Sequence, residues 1–482
     1  MTYAFTFDAS ACTGCKACQV ACKDKNNLPT GVLWRRVYEV SGGSWTNVGP
    51  PGVWTTNVFA YNLSIACNHC VHPKCAGVCP TDAYVVRDDG IVYIDESKCM
   101  GCGYCAWACP YTAPKYNPEL RHMTKCNLCF DNLDAGLPPA CVAACPMRVL
   151  DFVEVSSEQL SVNSFRELWE IQGAEHPFPL PTFSRTQPHL AINPHVGMVN
   201  GLEKAISNQE EVKPPTRVRR TLFNGTISSE KKARLTDFLP TVWCDALRTP
   251  DELPLVIFTL SSQTAAGMAV FSLFAQPSTF NLLTIGFLLG LAGLVSLLHL
   301  GSPLNAWRAL NHLKKSSLSR EILWFGFFGA SWLACLALPG MGKGLLALTG
   351  LGLVYYMAQV YQIKAVPAWN TWRTPAAFFL TAGILGALAV SLAANQPWLA
   401  SVAGVLLAAK AALEAVDRHP LYQTARRLRL GLILLGMAGT LILAGFPDSA
   451  VTWIRIPIFL LILSEEILER ALFYTHLHQK VL

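Results

Sequence analysis

Four runs of cysteine in the first third of the chain constrain it more than any other feature. Cys12, Cys15, Cys18 and Cys22 are spaced CxxCxxCxxxC, and Cys99, Cys102, Cys105 and Cys109 repeat that spacing. Cys67, Cys70, Cys75 and Cys79 follow CxxCxxxxCxxxC, while Cys126, Cys129, Cys141 and Cys145 keep the CxxC start and CxxxC end around a longer insertion. Of 18 cysteines, all but Cys244 and Cys335 lie between Cys12 and Cys145. Three of the final cysteines are followed by proline: Pro80, Pro110 and Pro146. A short CxxCxxC loop can bring three thiolates to corners of a cubane, and in two-cluster ferredoxins the fourth cysteine of each run ligates the other cluster. Zinc would ask for two CxxC pairs per metal and no trailing Cys-Pro. A disulfide scaffold belongs to short secreted chains. The runs therefore specify iron–sulfur ligation.

The segments between the runs indicate how they pair. TDAYVV, RDDG and IVYIDESK (residues 81–98) read as two short strands around an Asp-Gly turn, which makes runs two and three one two-cluster unit. Run one is preceded by an alternating stretch at 3–8 and run four is followed by a β-type stretch at 149–155. Pairing of those stretches would close a second unit around the first. This nested arrangement groups Cys12, Cys15 and Cys18 with Cys145, and Cys126, Cys129 and Cys141 with Cys22. It also groups Cys67, Cys70 and Cys75 with Cys109, and Cys99, Cys102 and Cys105 with Cys79.

The segments WRRVYEVSGGSW, NVFAYNLSIACNHCVHPKC and HMTKCNLCFDNLDAGLPPACVAACP resemble the four-cluster iron–sulfur subunit of the dimethyl sulfoxide reductase group of molybdoenzymes, over roughly residues 1–200. The resemblance implies the same nested pairing and a wire of clusters leading from a separate molybdopterin-containing catalytic subunit to the membrane. Relatives with tryptophan at the position of Cys102 hold a three-iron cluster; this chain keeps the cysteine, so four [4Fe-4S] clusters are expected.

Composition changes after about residue 250. The chain is 52% hydrophobic and 15% charged, with a mean hydropathy of +0.32, against about a quarter charged in ordinary soluble domains. Apolar runs near the ~20 residues that span a bilayer are read at 253–275, 279–300, 319–338, 344–363, 375–394, 398–416, 429–446 and 451–474. The fold expected is an α+β tandem ferredoxin-like domain over 1–155, followed by an all-α polytopic membrane domain of eight transmembrane helices over 251–482. Between them, 156–250 reads as a proline-punctuated wrapping segment and a basic linker. Arg217, Arg219, Arg220, Lys231, Lys232 and Arg234 suit anionic lipid headgroups better than nucleic acid, and no nucleic-acid partner is expected. Cys244 reads as a plain structural thiol.

Residues 1–8 carry neither a basic nor an apolar signal region, so the cluster domain is expected to stay on the side of synthesis. Eight spans put both ends on one side. Connections on that side hold Arg308, Lys314, Lys315, Arg320, Lys364, Arg373, Arg418, Arg426, Arg427 and Arg429, against Lys343 and Arg455 opposite. Basic loops stay inside, giving a cell inner membrane protein whose cluster domain faces the cytoplasm.

LLHLGSPLNAWRALN (297–311) and the SEEILER run are similar to the membrane anchor subunit of the same group. That similarity implies quinol chemistry at His299, with menaquinone or ubiquinone as exchangeable substrate. Arg308, Arg320 and Glu321 are placed as flanks of a quinone headgroup or as helix-end anchors. Glu465 with Glu469, and Glu466 with Arg470, read as i,i+4 pairs of structural character. Only His299 lies near a span, while His312, His419, His476 and His478 fall in or beside connections; no haem is expected. The function expected is electron transfer between a molybdopterin partner and membrane quinone, with sulfite oxidation or sulfoxide-type reduction as the chemistry. An ion-translocating module using Lys410 and Glu414, or a hydrogenase electron-transfer subunit, are the alternatives.

Overall fold

The computed structural model describes residues 2–155 except 43–44, 48–52 and 57, then 186–195 except 194, and 253–479 except 276–278, 339–341, 395, 417–422 and 446–451. The chain parts into two compact units after Ser228. Cys244, the basic run at 217–234 and most of the expected wrapping segment fall outside the described residues.

In the first unit the outermost strands close the structure. Strand β1 (Thr2–Asp8) pairs antiparallel with the late strand β10 (Leu150–Val155), in the register Phe5↔Phe152 and Phe7↔Leu150. The alternation expected at 3–8 turns Phe5 and Phe7 into the core. On its other edge β1 takes β11 (Leu190–Asn193) in parallel, Phe5 opposite Leu190. This strand is the part of the wrapping segment that is described, and it is extended.

Inside this frame lie small hairpins and short helices. The hairpin foreseen around Asp-Gly joins β6 (Tyr84–Val86) to β7 (Val92–Ile94), with Gly90 at φ 79° in its turn. Three further hairpins are not apparent from the cysteine spacing. They join β2 (Arg36–Gly42) to β5 (Phe59–Ile65), β3 (Trp45–Asn47) to β4 (Trp54–Thr56), and β8 (Lys115–Asn117) to β9 (His122–Thr124). Helices α1 (Ala17–Lys25), α2 (Lys74–Val78), α3 (Tyr104–Ala108), α4 (Phe130–Asp134) and α5 (Ala140–Ala143) have at most nine residues, well short of independent stability.

One backbone device recurs in every run. The residue before the second cysteine is left-handed each time: Gly14 (φ 69°), His69 (φ 42°), Gly101 (φ 76°) and Leu128 (φ 59°). The three Cys-Pro corners share another, with Asp82, Thr112 and Arg148 left-handed at φ 51°, 48° and 54°. A left-handed residue next to right-handed ones turns successive N–H groups inward, and such nests hold anions and iron–sulfur centres. L-residues resist this conformation by about 1–2 kcal/mol each, so five non-glycine instances are held there by their surroundings.

Among the described residues the second unit has eight long helices: α6 (Leu253–Phe271), α7 (Thr279–His299), α8 (Ser317–Ala337), α9 (Lys343–Tyr361), α10 (Arg373–Ala394), α11 (Pro397–Val416), α12 (Gln423–Gly445) and α13 (Thr452–Gln479). A 3-10 segment, Pro303–His312, joins α7 to α8. Five helices (α6, α7, α9, α10 and α12) are long and apolar enough to cross a membrane. The other three carry most of the buried charges, Glu321, Lys410, Arg455, Glu465, Glu466 and Arg470, with Arg429 on α12. Helix α6 is central, packing on α7, α9 and α10. At the α6–α10 crossing Gly267 and Gly386 face each other so closely that a Cβ on Gly267 would strike the Ala382 carbonyl; small residues permit that approach. Large apolar side chains point outward, among them Phe287 and Leu298 on α7 and Leu434, Leu435 and Leu441 on α12. Such a surface suits a hydrocarbon surround.

Candidate iron–sulfur and membrane sites

The sixteen clustered cysteines gather into four sets. Cys12, Cys15, Cys18 and Cys145 line one cavity, here site I. Cys67, Cys70, Cys75 and Cys109 line another, site III, and Cys79, Cys99, Cys102 and Cys105 a third, site IV. The empty space is alike in the three, about 330, 380 and 310 Å³ including the part open to solvent. The remaining four form site II: Cys22 acts electrostatically on Cys126 and feels Cys141 and Cys129, and Cys126 feels Cys141.

These sites stand in one file. Site I meets site II where Cys18 faces Cys141, and site II meets site III where Cys126 faces Cys67. Sites III and IV share the buried Tyr84 ring, whose hydroxyl lies beside Cys105, Cys75 and Cys79. The nested topology produces this file, because β1–β10 pairing brings run four back onto run one.

The sites differ from a mononuclear metal centre in spacing. A tetrahedral zinc with Zn–S near 2.3 Å holds its sulfurs about 3.8 Å apart. Among the described residues no three cysteine sulfurs lie within 4.8 Å of one another. Burial pushes the thiols of Cys22, Cys70 and Cys102 up to about 12, so these sites bind as thiolates only when a metal centre displaces their protons.

Hydrogen-bond donors surround the sulfurs. Ser64 Oγ lies 3.3 Å from Cys18 Sγ, the Ala83 N–H 3.4 Å from Cys79 Sγ, the Leu128 N–H 3.4 Å from Cys126 Sγ, and Lys125 Nζ 3.4 Å from Cys67 Sγ. Arg35 is buried with its guanidinium 4.5 Å over the Phe5 ring, and its Nη1 donates to Ser64 Oγ at 3.2 Å. Its Nε and Nη2 find no acceptor among the described residues, although they stand among Cys18, Cys22, Cys126 and Cys141. Orphaned buried donors are costly; sulfide-rich, anionic [4Fe-4S] centres would supply the missing acceptors. The donor set, the nests and the spacing fit such centres.

Sequence reasoning passed over Arg35 and Lys125. The only signal was composition: a basic residue beside a cysteine run, in a stretch otherwise destined for the core.

In the membrane unit, His299 is the last residue of α7, Arg308 lies in the 3-10 segment, and Glu321 sits in the second turn of α8, which packs on both. Glu321 is 4% exposed and no cation pairs with it among the described residues. Arg308 lays its guanidinium 5.0 Å over the Trp307 ring. The three lie on consecutive elements of the chain, and among the described residues no ion pair joins Arg308 to Glu321.

Two expectations need correction. The i,i+4 pairs on α13 are not the contacts made. Glu465, Glu466 and Glu469 all converge on Lys410 of α11, with Lys410 Nζ 2.8 Å from Glu465, 2.7 Å from Glu466 and 2.5 Å from Glu469. Arg470 donates instead to Gln263 of α6 at 3.2 Å and stacks 4.0 Å over Phe378. Adjacent helices lie closer to these carboxylates than the next turn does, and a buried charge takes the partner that desolvates with it. Likewise Arg429 and Arg455, counted with the connections although they fall within the spans read at 429–446 and 451–474, are helical charges. Arg429 is buried in α12 against Glu414 at 2.5 Å and Glu465 at 3.2 Å, and Arg455 in α13 reaches the Ser391 carbonyl at 3.4 Å. Both leave the count of basic loop residues.

Comparison with known families places these features. Residues 58–155 match the family described as "4Fe-4S dicluster domain", and residues 249–408 match "DMSO reductase anchor subunit (DmsC)". An anaerobic dimethyl sulfoxide reductase chain of Haemophilus influenzae is 45% identical over 193 residues, 40% of this chain and 89% of that protein. The probable anaerobic dimethyl sulfoxide reductase chain YnfG of Escherichia coli K12 is 44% identical over 212 residues, 44% of this chain and 98% of that protein. A tetrathionate reductase subunit of Salmonella typhimurium is 41% identical over 145 residues, 30% of this chain and 54% of that protein. With a 4Fe-4S dicluster domain, apolar spans and near-complete coverage of the two dimethyl sulfoxide reductase relatives, the protein is a member of the dimethyl sulfoxide reductase iron–sulfur subunit family, and carries the anchor domain on the same polypeptide as a multi-pass membrane protein.

Proposed function

We propose that the chain is the electron-transfer and membrane-anchor subunit of a quinone-linked molybdopterin oxidoreductase. Residues 1–155 would form a nested double-ferredoxin domain with four [4Fe-4S] clusters: Cys12, Cys15, Cys18 and Cys145 hold the first, and Cys22, Cys126, Cys129 and Cys141 the second. Cys67, Cys70, Cys75 and Cys109 hold the third, and Cys79, Cys99, Cys102 and Cys105 the fourth. Each cluster, when bound, supplies a one-electron store. The chain's own part is to line the stores up in file, keep water from them and offer donors to their sulfurs, as Ser64, Lys125 and the backbone N–H groups do. The observation that carries the reading is the single file of four four-cysteine sets continued, on one polypeptide, by a helical membrane unit.

Residues 251–482 would span the membrane eight times and receive quinol, menaquinol or ubiquinol, near His299, with Arg308 and Glu321 as flanks. A histidine at a helix end can take a proton from a quinol oxygen near neutral pH. Without Arg429 and Arg455, loops and helix ends still set Arg308, Lys314, Lys315, Arg320, Lys364, Arg373, Arg418, Arg426 and Arg427 against Lys343. This supports a cell inner membrane protein with its cluster domain in the cytoplasm; residues 156–250 would link the two domains. The names of the relatives favour reduction of sulfoxide-type or other oxidised sulfur compounds over sulfite oxidation.

The test is metal analysis of the complex purified from membranes, with quinol-coupled turnover of His299→Ala. Molybdenum in a partner subunit, iron for four clusters, and turnover with quinol reduced at least tenfold in the variant are expected. Absence of a molybdenum partner, or iron for fewer clusters, overturns the assignment; unimpaired turnover in His299→Ala moves the quinone site elsewhere.

A further inference from the structure

Each junction of the first three cysteine sites contains a buried cation that has no carboxylate partner among the described residues. Lys125 is 3% exposed and stands between site II and site III. Its Nζ donates to the Val92 carbonyl, to the Cys126 carbonyl at 3.0 Å and to Cys67 Sγ at 3.4 Å. An ammonium has three N–H donors and no acceptor, so all three are spent, one of them on a sulfur of site III. Arg35, 2% exposed, stands between site I and site II among Cys18, Cys22, Cys126 and Cys141, with Nε and Nη2 unanswered among the described residues. Of these two cations, Arg35 faces Cys18 of site I and the cysteines of site II, and Lys125 faces Cys126 of site II and Cys67 and Cys75 of site III, where the half-buried Lys115 also acts on Cys109. Among the described residues no buried cation faces site IV, where the Ala83 N–H lies 3.4 Å and the Thr81 hydroxyl 3.6 Å from Cys79 Sγ.

A fixed positive charge in a low-dielectric interior favours the more negative form of whatever it faces. Reduction makes a cluster more negative, and charge and hydrogen bonds at its sulfurs set its potential. We propose that Lys125 and Arg35 set the potential profile of the electron path. Each raises the reduction potentials of the two clusters it stands between, and the cluster of site II receives both contributions. The inference rests on the four-cluster assignment above.

The experiment uses the full chain with its partner in membrane vesicles. Iron and acid-labile sulfide are counted, and the clusters are titrated by electron paramagnetic resonance as the solution potential is stepped. With four clusters retained, Lys125→Met lowers two of the four midpoints and Arg35→Met lowers two. One signal moves in both variants, and Lys125→Arg leaves all four near their original values. If Lys125→Met loses iron, Lys125→Gln replaces it, removing the charge while keeping an N–H donor. Four clusters with unmoved midpoints overturn the inference and leave the assignment standing. Shifts that share no signal, or that touch all four clusters equally, overturn it as well. Iron loss in both neutral variants but not in Lys125→Arg also overturns it, because the charge would then serve to hold a cluster. Fewer than four clusters in the unmodified chain overturns the assignment itself.

Discussion

The two units bury positive charge by opposite means. In the membrane unit Lys410 and Arg429 are met by glutamates of the same chain: Glu465, Glu466 and Glu469 around Lys410, and Glu414 and Glu465 around Arg429. In the cluster unit Arg35 and Lys125 meet thiols and carbonyls, and among the described residues no carboxylate pairs with either. A buried charge without its counter-charge costs several kcal/mol, about 3–5 when one partner of a pair is removed. The Lys410–Arg429 cluster therefore carries its counter-charges in the sequence, while Arg35 and Lys125 are electrostatically complete only with anionic centres bound. The same contrast holds for the backbone. The helices of the second unit have at least 19 residues, whereas those of the first are short and join at left-handed residues.

Removing iron is the strongest way to break this comparison. Chelation of the full chain in detergent should erase hydrogen-exchange protection across the sites of residues 2–155 and leave it intact in α6–α13, since metal-coupled folding stability goes with the metal. Equal retention in both would mean that the cluster unit folds without its guests. Next in size, Lys410→Met should destabilise the membrane unit by about 3–5 kcal/mol. Adding Glu466→Gln should recover part of the loss in thermal unfolding. A melting profile unchanged by Lys410→Met would mean that the glutamates do not need the ammonium.

A smaller effect concerns the loop built four times. Gly14 holds φ 69° with the Asn62 side chain against it, and Asn62 in turn donates to the Cys12 carbonyl at 3.2 Å. Gly14→Ala should cost about 1–2 kcal/mol and lower occupancy of site I before the other three, read by iron content after mild heating. Smallest is the edge that β11 adds to β1. Asp8 Oδ1 accepts from Ser10 Oγ at 2.5 Å, from Ser10 N at 2.9 Å and from Asn193 Nδ2 at 3.1 Å. The Ser10 hydroxyl, chiefly, holds the Asp8 carboxyl below its usual value. A lowered carboxyl contributes stability above its unfolded pKa, near 4, and loses it as pH falls through the folded one. The contribution of this solvent-screened group should stay under about 1 kcal/mol. Asp8→Ala should flatten the acid limb of the stability curve slightly and raise proteolysis near residue 193; an unaltered acid limb would remove Asp8 from the account.

Local pattern made much of this molecule readable. CxxC spacing, the Asp-Gly hairpin and the strands at either end depend on short-range rules, and the strand pairing Phe7↔Leu150 follows from them. Apolar runs located long helices for the same reason, because bilayer thickness sets a length that a single stretch must meet; five of those among the described residues are long and apolar enough to cross a membrane. The pairing of β2 with β5 was less legible, since a second hairpin, β3 with β4, lies between them and the turn signals there do not say which strands pair.

By itself, the sequence determined which residues are ligand-like, how they are grouped by spacing, and where the chain turns apolar, since these are properties of residue type and distance along the chain. Only the tertiary structure decided what faces each buried charge. Arg429 passes for a loop cation until helix packing sets Glu414 and Glu465 against it. The glutamates of α13 suit i,i+4 pairing until Lys410 enters from α11. Lys125 is one basic residue beside a cysteine until folding brings Cys67, 58 positions away, to its amino group. Electrostatic partners are chosen by proximity in a low-dielectric interior, and that proximity is created by packing.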